Sequence, residues 1–152
     1  MSDSPKTQEE IRLTPLFEVA VAARDKAYAP YSDYKVGAAI VSADGVIHSG
    51  CNVEAANLKG GTCAETTAIA KMVCTGQTRI KEVLVVGLGN ETCPPCGHCR
   101  QLIREFADAD TRIYGVKPDA EKGFSLVRTY TMEELLPDSF GPNNLASAKA
   151  AP

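Results

Sequence analysis

Cys63-Ala64-Glu65, and further along the chain Pro95-Cys96-Gly97-His98-Cys99, place three thiols and a carboxylate at spacings that suit chemistry on a metal. Zinc takes thiolate ligands readily, and a site with three protein ligands keeps a fourth position for water, as a hydrolytic centre needs and a closed structural centre does not. A carboxylate two residues from a ligand is then placed to move protons. No other pattern in the chain is as specific. Cys-x-x-Cys also begins a zinc knuckle, but a zinc ribbon needs a second pair about 15 to 20 residues away, and none is present. Cys93-Pro94-Pro95-Cys96 can also be read as a thioredoxin-like redox pair at a helix start, which leaves Cys63 and Glu65 without a role.

These residues need elements to hold them. Thr62 with Glu65 three residues later fits a capping box, so the spacing predicts a helix that starts at Cys63 and runs through Val73. Pro95 opens another helix reaching about Ala107, with Cys96 and Cys99 on one face. If the two N-termini converge, their backbone N–H groups favour thiolates. Three thiolates leave a zinc ion net negative and a weaker Lewis acid, so nearby cations must offset the sulfur charge. Arg100 and His98 are the candidates.

Elsewhere, Thr14-Pro15 reads as a cap followed by a first-turn proline, giving a helix from Pro15 to Ala27. Val36 to Ser42 and Val46 to Cys51 read as strands joined by Asp44-Gly45, a hairpin signal. Lys81 to Leu88, Arg112 to Val116 and Ser125 to Tyr130 read as further strands. Thr131 and Glu134 cap a short helix that ends at Pro137. This alternation predicts an α/β fold, a three-layer α/β/α sandwich around a central mixed five-stranded sheet. Gly141 to Pro152 is small and polar and reads as a flexible tail. Cys51 and Cys74 read as buried packing thiols. His48 reads as a surface or satisfied histidine, and Tyr28, Tyr31 and Tyr34 as core, subunit contacts or a platform for a planar substrate.

Composition narrows the function. With 152 residues the chain suits one domain, and sixteen Lys and Arg against nineteen Asp and Glu give a net charge of -3. There is no concentrated positive charge for a polynucleotide, so the expected substrate is small. No apolar run would span a bilayer and the N-terminus is not a secretory signal, which predicts a cytoplasmic protein without a membrane partner. Six cysteines in that setting argue for metal or catalysis.

The chain resembles the zinc-dependent cytidine deaminases of the small homotetrameric type. The segments that carry this are Tyr31 to Ala39 (YSDYKVGAA), Gly50 to Ala56 (GCNVEAA), Cys63-Ala64-Glu65, Pro95 to Gln101 (PCGHCRQ) and Glu134 to Phe140 (ELLPDSF). They cover residues 12–142 in the expected order, leaving 1–11 and 143–152 as flexible termini. The resemblance implies a cytidine deaminase-like fold and one zinc ion per chain on Cys63, Cys96 and Cys99. It implies Glu65 as the proton shuttle in hydrolytic deamination of cytidine and deoxycytidine, a reaction of pyrimidine salvage. It further implies that Asn52 and Glu54 hold the ribose hydroxyls, and that the backbone N–H of Ala64 faces the pyrimidine carbonyl. The carbonyl of Pro94 or its neighbour would accept from the exocyclic amine. Tyr34, where phenylalanine is usual, would lie beside the nucleoside, and Phe140 would reach a neighbouring subunit's site in a homotetramer with shared active sites.

There are departures. The family commonly has arginine directly after Cys-Ala-Glu, and here the residue is Thr66. Gly60 to Glu65, Gly89-Asn90-Glu91 and His98 are instead similar to blasticidin S deaminase, and His98 is expected to supply part of the missing positive charge. Two alternatives to cytidine deamination therefore stand: deamination of a cytosine-nucleoside antibiotic such as blasticidin S, and a non-catalytic domain stapled by zinc.

Overall fold

Apolar side chains on the central strands alternate, and the alternation decides which helix covers which face. In the computed structural model, which describes residues 5–149, the strands are β1 (Gly37–Ser42), β2 (Ile47–Cys51), β3 (Ile80–Val86), β4 (Arg112–Asp119) and β5 (Gly123–Tyr130). They form one five-stranded sheet in the order β2-β1-β3-β4-β5. β3 and β4 pair in parallel, and the other neighbours are antiparallel. Ala38, Ile40, Val83, Val85 and Ile113 pack with α2 (Ala64–Cys74) and α3 (Gly97–Phe106). Their strand neighbours Ala39, Leu84, Val86, Tyr114 and Val116 pack on the other face against α1 (Gln8–Arg24). Period-two alternation on strands buried on both sides thus produces the three-layer mixed sandwich.

Two close approaches fix helices to the sheet. A Cβ at Gly50 would lie 2.3 Å from the Ala64 carbonyl oxygen and 2.4 Å from the Ala68 nitrogen, so only glycine lets the first turns of α2 rest on β2. That contact places the Cys63 end of α2 over the end of the hairpin. A Cβ at Gly37 would be 1.9 Å from the Ala20 carbonyl oxygen, and α1 sits on β1 just as tightly.

Helix α1 differs from the sequence reading. It starts at Gln8, with Thr7 and Glu10 forming a reciprocal capping box, and ends at Arg24 with Asp25 as its C-cap. Pro15 lies inside it and Thr14 Oγ1 donates back to the Glu10 carbonyl. A proline in a helix interior costs about 3 kcal/mol. Burial of Leu13, Leu16 and Ala20 offsets this, since each large apolar side chain contributes roughly 1.5 to 3 kcal/mol.

The expected flexible termini are also partly ordered. Residues 8–11 belong to α1, and Pro142–Lys149 forms a helix, α5, with the Gly141 N–H bonded to Asn144 Oδ1. Residues 1–4 and 150–152 of those termini lie outside the described residues. The β4–β5 hairpin runs longer than expected, continuing to Asp119 and resuming at Gly123. Its tip is tied by Asp119 Oδ1, which accepts from the Glu121 and Lys122 N–H groups. The short helix α4 (Met132–Leu135) carries the expected Thr131–Glu134 capping box. No helix among the described residues is long and apolar enough to cross a membrane.

Candidate active site

Cys63 and Cys96 are the N-cap residues of α2 and α3, each in extended backbone with no side-chain cap hydrogen bond. Cys99 is buried in the first turn of α3. The three sulfurs lie within 4.8 Å of one another, and Cys63 Sγ and Cys96 Sγ are 3.8 Å apart. A tetrahedral zinc with Zn–S bonds of about 2.3 Å spaces its sulfurs by about 3.8 Å, so the donor set fits one such ion.

The electrostatics point the same way. Burial, then Glu65 and the other sulfurs, pushes the Cys99 thiol far up, and burial likewise raises Cys63. At Cys96 burial is outweighed by hydrogen bonds, led by the Cys99 backbone N–H, and the thiol is lowered. The benefit expected from the helix N-termini therefore appears, of the three, at Cys96. Sulfurs crowded against a carboxylate hold negative charge poorly until a cation joins them.

Glu65 is 4 % exposed. The expected capping box with Thr62 does not form, because Cys63 takes the N-cap and Thr62 Oγ1 instead lies 3.3 Å from Thr67 Oγ1. The carboxylate is thus not used up on the helix end. Burial raises its pKa, opposed by its own backbone N–H, the Cys99 thiol and the charge of His98.

The two expected cations divide. Arg100 bonds backbone carbonyls, its Nε to Pro95 at 2.8 Å and its Nη1 to Leu135 at 3.0 Å, so it ties α3 to α4 rather than serving the sulfurs. His98 is exposed, and its charge reaches Glu65. Thr66 brings no charge, and its Oγ1 is buried without a hydrogen-bond partner.

Two adjoining hollows meet at Asn52 and Cys63. The inner one, about 230 Å³, is lined by Tyr34, Val36, Ala64, Glu65, Cys93, Pro94 and Cys96 as well. The outer one, about 410 Å³, adds Tyr31, Ser32, Glu54, Leu58 and Thr62. The inner hollow has the dimensions and the chemistry for a planar base, and the outer one presents polar groups suited to a sugar. A third hollow of about 420 Å³, lined by Arg104, Asp108, Thr131 and Glu133 among others, shares no residue with these two.

Polar residues at the mouth are knitted together. Glu54 accepts from the Tyr31 and Ser32 N–H groups at 2.9 and 3.2 Å and from the Ser32 hydroxyl, which lowers its pKa. Asn52 Oδ1 accepts from the Val36 N–H at 2.8 Å and Asn52 Nδ2 donates to the Tyr34 carbonyl at 2.9 Å. Ser32 bridges the sets, since its Oγ also accepts from the Tyr34 N–H at 3.1 Å. Ser32 was assigned no role from the sequence; its position two before Tyr34 was the available signal.

Other expectations sort as follows. Phe140 is exposed, with its carbonyl accepting from Gln101 Nε2 at 2.9 Å, and it lines neither of the two joined hollows. Tyr28, Tyr31 and Tyr34 are all exposed, which removes the core reading. Cys51 is half-buried and Cys74 exposed, so neither is the buried packing thiol expected. Both sit at the last residue of an element, where one side is open to solvent. His48 is buried and satisfied by Ser42 Oγ at 3.0 Å. Cys93 and Cys96 are both free thiols.

Residues 12–115 match the family model for the cytidine and deoxycytidylate deaminase zinc-binding region. The chain belongs to this family. Cytidine deaminase from Halalkalibacterium halodurans is 37% identical over 125 residues, covering 82% of this chain and 91% of that protein. Cytidine deaminase from Sporosarcina psychrophila is 38% identical over 128 residues, covering 83% and 89%. Among solved structures, cytidine deaminase from Burkholderia pseudomallei superposes with a TM-score of 0.73 at 36% identity, covering 89% of this chain and all 100% of that one. The Mycobacterium tuberculosis enzyme gives 0.69 at 31%, covering 90% and 99%. Zinc is the metal named by the family, and Cys63, Cys96 and Cys99 form the cluster that fits it.

Proposed function

We propose that this deaminase hydrolyses the C4–N4 bond of cytidine and deoxycytidine, consuming one water and releasing uridine or deoxyuridine and ammonia. The observation that carries the reading is Glu65, buried and free of any capping duty beside the three-sulfur cluster, on the wall of the inner hollow. A structural zinc site has no use for such a carboxylate. Bound zinc supplies a Lewis acid that makes water nucleophilic near neutral pH.

Glu65 would take one proton from the attacking water and deliver it to ring N3 as the C4–O bond forms, then carry the second proton of that oxygen to the amine as the C4–N4 bond breaks. Its burial-raised pKa suits a group that must both accept and give. The Ala64 N–H is available to the pyrimidine carbonyl, the Pro94 carbonyl to the amine, and the Tyr34 ring to a base face. Asn52 and Glu54 hold ribose hydroxyls, exchanging part of their present loop contacts for substrate. The catalytic domain spans 12–142.

An ultraviolet assay comparing cytidine, deoxycytidine, free cytosine and blasticidin S tests this. The two nucleosides should turn over well and free cytosine poorly, since it lacks the sugar that Glu54 and Asn52 grip. Preference for blasticidin S, with cytidine kinetics untouched by Glu54→Ala, would replace the reading with the antibiotic one. No turnover of any of them by zinc-loaded protein would leave a structural domain.

The finer reading is a cytoplasmic homotetramer acting in pyrimidine salvage, with Phe140 completing a neighbour's site. It is supported by the 58 % exposure of Phe140, a large ring left open beside α3. Phe140→Ala should lower activity without displacing zinc. Light scattering that finds a fully active monomer would reject the shared site.

A further inference from the structure

Tyr34 is held at both ends. Its backbone is fixed by Ser32 Oγ and Asn52 Nδ2, the same side chains that connect to Glu54 and Val36. Its hydroxyl end lies beside the Cys93 side chain, the two meeting over one glycine. Under that contact lies Gly87, just beyond β3: a Cβ there would stand 2.4 Å from the Tyr34 hydroxyl oxygen and 3.0 Å from Cys93 Cβ. A rigid ring cannot yield as a flexible chain end does, so the glycine forms a notch that seats the phenol. The notch has a fixed floor, since the Gly87 carbonyl accepts from Arg24 Nη1 at 3.3 Å. Asp33, at φ 55 in the left-handed region, turns the chain immediately before Tyr34.

Both Tyr34 and Cys93 line the inner hollow with Glu65, Pro94 and Cys96. One side of that hollow belongs to the Tyr31–Tyr34 loop that contacts Glu54, and the other to the segment from Cys93 to Cys96. We infer that the Tyr34 hydroxyl and Cys93 form a strut across the base cavity, fixing the spacing between the sugar-gripping loop and the Pro94 edge. They are positioning residues for the nucleoside. A phenylalanine at 34 would fill the notch but leave the two walls unlinked. Because this grip acts alike on bound substrate and on the transition state, its loss is read in KM more than in kcat. This inference rests on the nucleoside deaminase reading.

The test is a cycle in the zinc-loaded enzyme with cytidine as substrate. Tyr34→Phe and Cys93→Ala should each raise KM about threefold to tenfold, the scale of one hydrogen bond, with kcat changed less than about twofold. The double variant should be no worse than the poorer single one, because the same link is broken once. Cys93→Ser, which keeps an acceptor, should restore most of the wild-type KM. Multiplying effects, or an unchanged KM in both single variants, would overturn the strut.

A second readout needs no turnover. Alkylation of Cys93 by iodoacetamide, followed by peptide mass spectrometry on zinc-loaded protein, should accelerate in Tyr34→Phe, and an unchanged rate would overturn the contact itself. Were wild-type enzyme inactive on cytidine while Tyr34→Phe still sped alkylation, the substrate assignment would fail and the strut would stand.

Discussion

Two glutamates, Glu10 and Glu65, are buried to nearly the same degree, 2 % and 4 % exposed, and both lie in the first turn of a helix. Helix position and solvent exposure are therefore similar, yet their pKa values move in opposite directions. Glu10 accepts from the Thr7 N–H at 2.8 Å, the Leu126 N–H at 2.9 Å and Lys122 Nζ at 3.0 Å, and falls to about 2. Glu65 has no ion pair among the described residues and rises. The face of the sheet under α1 spends its buried charge on holding the β4–β5 hairpin to the helix. The face under α2 and α3 gives its buried carboxylate weaker partners, its own backbone N–H and the Cys99 thiol, and leaves it perturbed in the direction that marks candidate functional groups. Glu10 is lowered because strong donors outweigh its burial, and Glu65 is raised because burial outweighs its few partners.

The largest expected effect breaks the catalytic side alone. Glu65→Gln keeps the shape and hydrogen bonds of the side chain but cannot shuttle a proton, so turnover should fall by about 10² to 10⁴-fold. Zinc content and thermal stability should hold, and stability should rise if anything, since a buried charge has been removed. Wild-type turnover in this variant would remove Glu65 from the chemistry. Metal analysis of native protein should find about one zinc per chain. Prolonged chelation should abolish activity, and full activity in strong chelator with no zinc present would defeat the three-cysteine centre.

Glu10→Gln tests the structural side. Losing charged hydrogen bonds to Lys122 and two backbone N–H groups should cost about 2 kcal/mol, or roughly 4 to 8 °C in Tm, while kcat at a temperature where both proteins are folded stays unchanged. The pH dependence has a definite sign. Because the folded pKa is depressed from 4.5 to about 2, the stabilisation is fully present above pH 4.5 and is lost as pH falls towards 2. The Tm gap between wild type and variant should therefore close over that acid window. A gap that persisted at pH 2 would mean that packing, not charge, ties α1 to the hairpin.

The same contrast explains what was legible in the sequence. The cluster of Cys63, Cys96 and Cys99 could be read because ligand spacing is local, each sulfur being placed by the start of its own helix. Strands β1 to β5 were visible from alternation and turn residues, to within a few positions. The start of α1 was not. Thr7-x-x-Glu10 and Thr14-Pro15 are both valid start signals, and what favours the first is Glu10 bonding to Leu126 and Lys122, more than a hundred residues away. Thr62-x-x-Glu65 has the same local pattern as Thr7-x-x-Glu10 and was read as a capping box for that reason. The fold instead makes Cys63 the N-cap, and an apparent cap becomes an unspent carboxylate. Arg100 was misplaced because its acceptor at Leu135 belongs to an element the local pattern cannot bring near.

The smallest expected effect concerns the positive charge of His98 and its action on Glu65. His98 sits in the first turn of α3, exposed, and pulls the Glu65 pKa down against the larger effect of burial. Removing it by His98→Ala makes Glu65 slightly more like an isolated buried acid and less like Glu10. The carboxylate must be ionised to take the first proton, so the acid limb of the kcat/KM profile should move to higher pH, with the plateau nearly unchanged. Since His98 faces solvent, ions screen it, and the difference between variant and wild type should shrink as salt rises from about 0.05 to 0.5 M. His98→Lys restores a charge on a longer side chain and should recover part of the displacement. An acid limb identical in wild type and His98→Ala at low salt would mean that Glu65 works without cationic help, and that nothing replaces the arginine absent at Thr66.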